Sequence, residues 1–154
     1  MQVANACPCG SQQTYAKCCE PFILGQQFPS NPQALMRSRY SAYCKKDYAY
    51  ILHTYASQQQ LGLTVESLSE HSESTTWLGL EVVAASGKQV EFKAYYRLSD
   101  GVYVMHELSD FVQEQGKWRY STGKMLSDSG KLSIGRNESC VCGSGKKFKR
   151  CCGR

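Results

Sequence analysis

With 154 residues, 42% of them hydrophobic and 20% charged, the chain is sized for one main domain with small appendages, not for a multidomain enzyme. Its formal charge of +5 is lopsided: residues 131–154 carry seven basic side chains against the single acid Glu138. No basic cluster followed by an apolar run opens the chain, and no segment has the length of a membrane span. A secretory leader and a spanning helix are therefore not expected, and the cytoplasm is the expected compartment.

The first motif is Cys7-Pro8-Cys9-Gly10-Ser11, followed by Cys18-Cys19. Two cysteines one residue apart on a turn present both sulfurs to one ion. A glycine after them permits a φ > 0 turn that brings backbone N–H groups toward sulfur. Ser11 stands where an N-cap would start a short helix delivering the vicinal pair from the other side. Tyr15 is placed to cover the site.

Further on, Asn31-Pro32 reads as an N-cap with proline at the first helical position. The helix it opens carries Met36, Tyr40, Tyr43 and Cys44 as a buried stripe at 3.6-residue spacing. Cys44, the ninth cysteine, is expected as a small core residue. A second helix is expected over 47–55 and a third over 65–71. The period then changes to two. Val90, Phe92, Ala94, Tyr96 and Leu98 alternate with Glu91, Lys93, Tyr95 and Arg97, and strands are expected over 76–84, 88–98, 102–112 and 117–121. Ser86-Gly87, Asp100-Gly101 and Gln115-Gly116 supply the turns. Helices followed by an antiparallel meander give an α+β fold with helices packed on one face of a curved four-stranded sheet.

The last motif repeats the first. Cys140-Val141-Cys142-Gly143-Ser144 precedes Cys151-Cys152, again with eight residues between the pairs, and Phe148 takes the place of Tyr15. All-sulfur sites of this kind point to structural zinc, with mononuclear iron as the rival. A disulfide scaffold is disfavoured, because vicinal cysteines bridge only with strain and the middle of the chain would have no staple. Cys-x-x-Cys redox chemistry has no motif here. The two copies differ in charge: Gln12-Gln13-Thr14 in the first stands against Gly145-Lys146-Lys147 in the second.

The C-terminal segment, with Gly135-Arg136-Asn137 ahead of it, resembles the SEC-C motif named for the metal-binding tail of the SecA translocation ATPase. The N-terminal copy resembles a degenerate version. The resemblance implies zinc held by Cys7, Cys9, Cys18 and Cys19 in one site and Cys140, Cys142, Cys151 and Cys152 in the other. Ser139-Cys140-Val141 departs from the more usual Pro-Cys-Pro opening. The middle resembles the NTF2-like fold, a cone-shaped α+β domain. The knuckles, the Leu35–Tyr43 helix, the Trp77-Leu-Gly-Leu-Glu81 strand and the His106–Phe111 strand together resemble the YchJ-like bacterial proteins. The implied division is 1–22 and 136–154 as metal knuckles around a 28–131 NTF2-like domain.

Function is less legible, since no phosphate loop, dinucleotide fingerprint or nucleophile elbow is present. The expectation is a non-enzymatic, zinc-binding adaptor. Lys146, Lys147, Lys149 and Arg150 would dock on a polyanionic or acidic surface. By resemblance to the SecA tail, the candidates are the ribosome, anionic phospholipid or an acidic export chaperone such as SecB; sequence-specific DNA binding is not expected. The alternatives are a small-molecule-binding domain or enzyme using the cone, and a metal-responsive regulator. A pocket in the cone would use Arg39, Trp77, Arg97 and His106 or Glu107. The plainer expectation is a structural ion pair between a helix arginine, Arg37 or Arg39, and Glu81 or Glu107. His53, His71 and His106 are too scattered for a third metal site.

Overall fold

Asn31 caps the principal helix as its sequence demands: its side-chain oxygen accepts from the Ala34 N–H at 2.8 Å. In the computed structural model, which describes residues 5–154, this helix follows a one-turn helix α1 (Glu20–Ile23). It is α2, Pro32–Lys45, and it ends where Lys46 turns left-handed at φ 61°. Asp47 then caps α3 (Tyr48–His53), accepting from the Tyr50 N–H at 3.1 Å. After α4 (Ser57–Gln60), Thr64 and Ser67 form a reciprocal capping box that opens α5 (Val65–Ser72). The one-turn helices α1 and α4 have no periodic signal and are not expected from the sequence.

The strands follow as an antiparallel meander in chain order: β1 (Thr76–Ser86), β2 (Gln89–Leu98), β3 (Gly101–Glu114) and β4 (Lys117–Met125). A two-residue β5 (Gly130–Lys131) pairs with β3 beyond the end of β4. The β3–β4 turn has φ > 0 at both Gln115 and Gly116, the backbone that a tight two-residue hairpin favours. All four expected strands are present, mostly longer than the sequence pattern alone outlines.

Register decides which side chains meet. Phe92 pairs with Glu107, Ala94 with Met105 and Tyr96 with Tyr103, so these residues share the concave face against α2. Phe111 joins them, 1% exposed, in one core with Leu35, Met36 and Tyr40. The opposite parity, Glu91, Lys93, Tyr95 and Arg97 on β2 with His106 on β3, faces outward. Among the described residues, no helix is long and apolar enough to cross a membrane.

β1 is an edge strand, and such an edge exposes unpaired backbone groups to stray partners. Here both ends of the chain come back to it. A Cβ at Gly79 would sit 2.7 Å from the Val141 carbonyl oxygen, and one at Gly10 would sit 3.5 Å from the Leu80 carbonyl. The C-terminal knuckle therefore presses on Gly79, while the N-terminal one lies against the next residue.

Candidate metal centres and a cavity in the cone

The two quartets fold alike. An isolated antiparallel bridge closes each, Ala6 with Thr14 and Ser139 with Lys147, and a one-turn 3-10 helix follows, Tyr15–Lys17 or Phe148–Arg150. Gly10 at φ 81° and Gly143 at φ 79° make the left-handed turn after the first cysteine pair. The four sulfurs of Cys7, Cys9, Cys18 and Cys19 lie within 4.8 Å of one another, as do those of Cys140, Cys142, Cys151 and Cys152. Sulfur–sulfur distances are 3.6 Å for Cys9–Cys18, 3.8 Å for Cys18–Cys19 and 3.4 Å for Cys142–Cys151. A tetrahedron with metal–sulfur bonds of about 2.3 Å has edges of about 3.8 Å, whereas a disulfide bond is about 2.05 Å. All nine cysteines are free thiols. The donor set thus fits a tetrathiolate ion at each end; loading it requires thiolates and releases protons.

The serines do not act as helix caps. Each 3-10 turn starts at Thr14 or Lys147 with no side-chain cap bond. Ser11 Oγ lies 3.1 Å from Cys18 Sγ and accepts from the Gln13 N–H, while Ser144 Oγ lies 3.4 Å from Cys151 Sγ and accepts from the Lys146 N–H. When the facing sulfur is a thiolate, as a metal ligand must be, it can only accept, and each hydroxyl then donates its proton to sulfur. That hydrogen bond, reinforced by Cys142, holds the Cys151 thiol down at about 7. In the first knuckle, hydrogen bonds from the Cys19 and Cys7 thiols pull Cys9 far below the ordinary thiol value.

The knuckles differ in setting. Cys7, Cys9 and Cys19 belong to the main core with Leu35, Tyr40 and Phe92. Cys7 Sγ lies 3.4 Å from the Ser41 hydroxyl, and Arg37 Nη1 donates to the Cys9 carbonyl at 2.8 Å. Of the second set only Cys140 is buried, and Arg97 donates to the Cys152 carbonyl from the outer face of β2. Tyr40 is within electrostatic reach of both sites: burial, and then Cys44, Cys9 and Cys142, push its hydroxyl upward. The sequence singled out neither Arg37 nor Arg97 as a docking residue, and no local signal marks them.

Lys146, Lys147 and Arg150 are exposed and Lys149 is partly so, all on the bridge and 3-10 turn of the second site. Among the described residues none of the four has a carboxylate within ion-pair distance.

Between α2 and the concave sheet face lies a cavity of about 300 Å³ lined by Arg39, Trp77 and Glu107 together with Tyr43, Tyr55 and Tyr120. Arg97 and His106 are not in it. Arg97 serves the second knuckle, and His106 lies outside between Glu91 at 2.7 Å and Asp128 at 2.6 Å, because strand alternation sends both outward. The expected ion pair is absent as well. Arg39 donates from Nη1 to the Ile51 carbonyl at 2.9 Å and the Thr54 hydroxyl at 2.6 Å, with its guanidinium over the Tyr55 and Tyr120 rings. Glu107 Oε2 accepts from Tyr120 at 2.8 Å and from Ser109. Arg37 is spent on the Cys9 carbonyl, and Glu81 is exposed.

The sequence model of the YchJ middle NTF2-like domain matches residues 31–123, and that of the SEC-C motif matches 5–21 and 136–154. A UPF0225 protein of Shewanella sp. (strain MR-4) is 42% identical over 95% of this chain and 94% of its own. This chain belongs to the UPF0225 family. A Geobacter sulfurreducens UPF0225 protein is 37% identical over 98% of this chain and 99% of its own. Two solved SEC-C motif containing proteins share the fold at 34% identity. One, from Rhodopseudomonas palustris, has a TM-score of 0.75 over 79% of this chain and 99% of its own; the other, from Psychrobacter arcticus, has 0.66 over 99% and 97%. The fold of this UPF0225 chain is thus an NTF2-like α+β cone with a four-cysteine group at either end.

Proposed function

We propose that this protein is a two-zinc adaptor of the cytoplasm that presents its C-terminal knuckle to a polyanionic or acidic partner. The carrying observation is the run Lys146, Lys147, Lys149 and Arg150, without an ion-pair partner among the described residues and displayed on the turn that holds the second sulfur cluster. Fixing the backbone around an ion lets four cations act as one rigid patch, whose field is steeper than that of a loose tail. Four thiolates around a divalent ion carry a net −2, so residues 131–154 keep about +4 when loaded. Of the corresponding positions of the first knuckle, Gln13, Thr14 and Ala16 are neutral and only Lys17 is basic, and that knuckle's sulfurs are turned into the core, which supports a division of labour between the copies.

The partner chemistry that suits this patch is a surface dense in phosphate or carboxylate: ribosomal RNA, anionic phospholipid or an acidic chaperone such as SecB. The experiment is binding of the zinc-loaded protein to ribosomes, to phosphatidylglycerol vesicles and to SecB over a salt series. Binding should fall steeply with salt and vanish on joint reversal of Lys146, Lys147, Lys149 and Arg150 to glutamate. Gln12→Glu with Gln13→Glu should leave it unchanged. Retention of binding by the reversed protein overturns the proposal.

A further inference from the structure

The cavity in the cone contains two buried charges of opposite sign that do not neutralise each other. Arg39 is 6% exposed and Glu107 8%, yet no ion pair joins them. Both are positioned by other groups. The Ile51 carbonyl, the Thr54 hydroxyl and the rings of Tyr55 and Tyr120 hold the guanidinium. For the carboxylate, the strand opposite has been cleared: a Cβ at Gly123 would collide with Glu107 Oε2 and with the Tyr120 hydroxyl. Tyr120 touches both charges, offering its ring to Arg39 and its hydroxyl to Glu107. Tyr43 lies in the field of both as well.

Hydrogen-bonding capacity is left over on each side. Among the described residues, Arg39 Nη2 and Nε and Glu107 Oε1 have no hydrogen-bond partner. Among the described residues only Arg119 Nε is a fully buried side-chain atom without a partner, so these three atoms open on the cavity, where a ligand can complete the two charges. The remaining walls are mostly apolar, Met36, Phe92, Ala94, Met105, Phe111 and Trp77, with Tyr40 and Ser72 adding a hydroxyl each. At about 300 Å³ the space is at the small end of ordinary ligand sites.

We infer that the cavity is a binding site for a small zwitterion of the free amino-acid class. Its carboxylate would sit on Arg39, its ammonium on Glu107 beside the aromatic rings, and its apolar side chain against Phe92 and Phe111. A monoanion satisfies Arg39 and leaves Glu107 facing it; a monocation does the reverse. Only a molecule with both charges completes the two poles, and the aromatic walls add attraction for an ammonium group. The site is independent of the docking patch, which lies on the second knuckle.

The test uses the full-length, metal-loaded protein, ¹⁵N-labelled and titrated with L-leucine, L-phenylalanine and L-tryptophan. N-acetyl-L-phenylalanine removes the ammonium, and L-phenylalaninamide removes the carboxylate. Saturable shifts should gather at Arg39, Tyr43, Trp77, Phe92 and Glu107, and each blocked derivative should bind about tenfold or more weakly than its parent. Glu107→Gln keeps the shape and the hydroxyl contacts. It should weaken the free amino acid by about the same factor while binding the N-acetyl derivative no more weakly than before. The derivative series on the unaltered protein decides the matter even if that variant folds poorly. Shifts absent with all three amino acids, shifts mapping outside the cone, or equal binding of the blocked and free forms overturns the inference.

Discussion

Ser11 and Ser144 show how one residue type serves two purposes that sequence cannot separate. A hydroxyl after a turn suits an N-cap, yet here each accepts a backbone N–H and turns its proton to a cysteine sulfur. Such partners around a metal ligand orient it and offset its charge, and removing one ordinarily costs about 10–100-fold in metal affinity. Ser144→Ala should therefore weaken zinc at the second site within that range in a chelator competition, with the fold unchanged. Ser144→Ala with unaltered affinity would reduce the hydroxyl to a bystander. The two sulfur clusters themselves were legible because each is complete within thirteen consecutive residues, so count and spacing carry it. The contacts of Arg37 and Arg97 to knuckle carbonyls were not, since each joins positions 28 or 55 residues apart.

At the scale of elements, alternation carried most of the sheet. The pattern that placed Phe92 and Ala94 inward also sends Arg97 outward with Glu91 and Lys93, so its place outside the cavity was already written in β2. His106 is likewise outward, and no local pattern there points to Asp128, twenty-two residues later, which closes on it from the loop before β5. Hydrogen bonds to Glu91 and then Asp128 raise the His106 pKa, while the His106 contact lowers that of Asp128. The histidine contribution is complete below its unfolded value, about 6.5, and is lost as pH rises through its higher folded value. The aspartate contribution is present above its unfolded value, about 3.9, and is lost as pH falls through the lower folded one. Wild type should thus exceed His106→Gln in urea stability most between about pH 4 and pH 6.5, and the gap should narrow toward alkaline pH. Paired denaturation curves at each pH, with metal held saturating, provide the measurement; a gap that widens above neutrality contradicts the assignment.

A related contact sits where β1 meets the second knuckle. Gly79 is buried beneath the Val141 carbonyl and Cys142 Cα, both backbone atoms that a new methyl group cannot push aside cheaply. Gly79→Ala should cost about 1–3 kcal/mol in urea unfolding, the usual range for overpacking a tight contact. The knuckle's own amides should shift more than those of α2 or β4. A neutral substitution would mean that the knuckle rides loosely on the edge.

Considered as a whole molecule, the protein packs both cysteine knuckles against the edge strand β1, but embeds them to different depths. Cys9 is 0% exposed and Cys19 1% within the core that holds Leu35, Val90 and Phe111, so an ion there would tie the first knuckle to α2. The second knuckle adds only Cys140 to the buried set and touches the sheet through Gly79 and Arg97. Metal-binding energy becomes folding energy in proportion to how much structure the site orders. Cys9→Ser should therefore lower the melting temperature of the entire cone and loosen α2, whereas Cys142→Ser should release residues 136–154 while the amide spectrum of 31–125 stays intact. Graded chelation of the unaltered protein should follow the same order, emptying the outer site first and melting the cone only as the inner ion leaves. Equal loss of the cone in both variants would show that the two ends share one cooperative unit. Collapse in Cys142→Ser alone would reverse the depth assigned to the two sites.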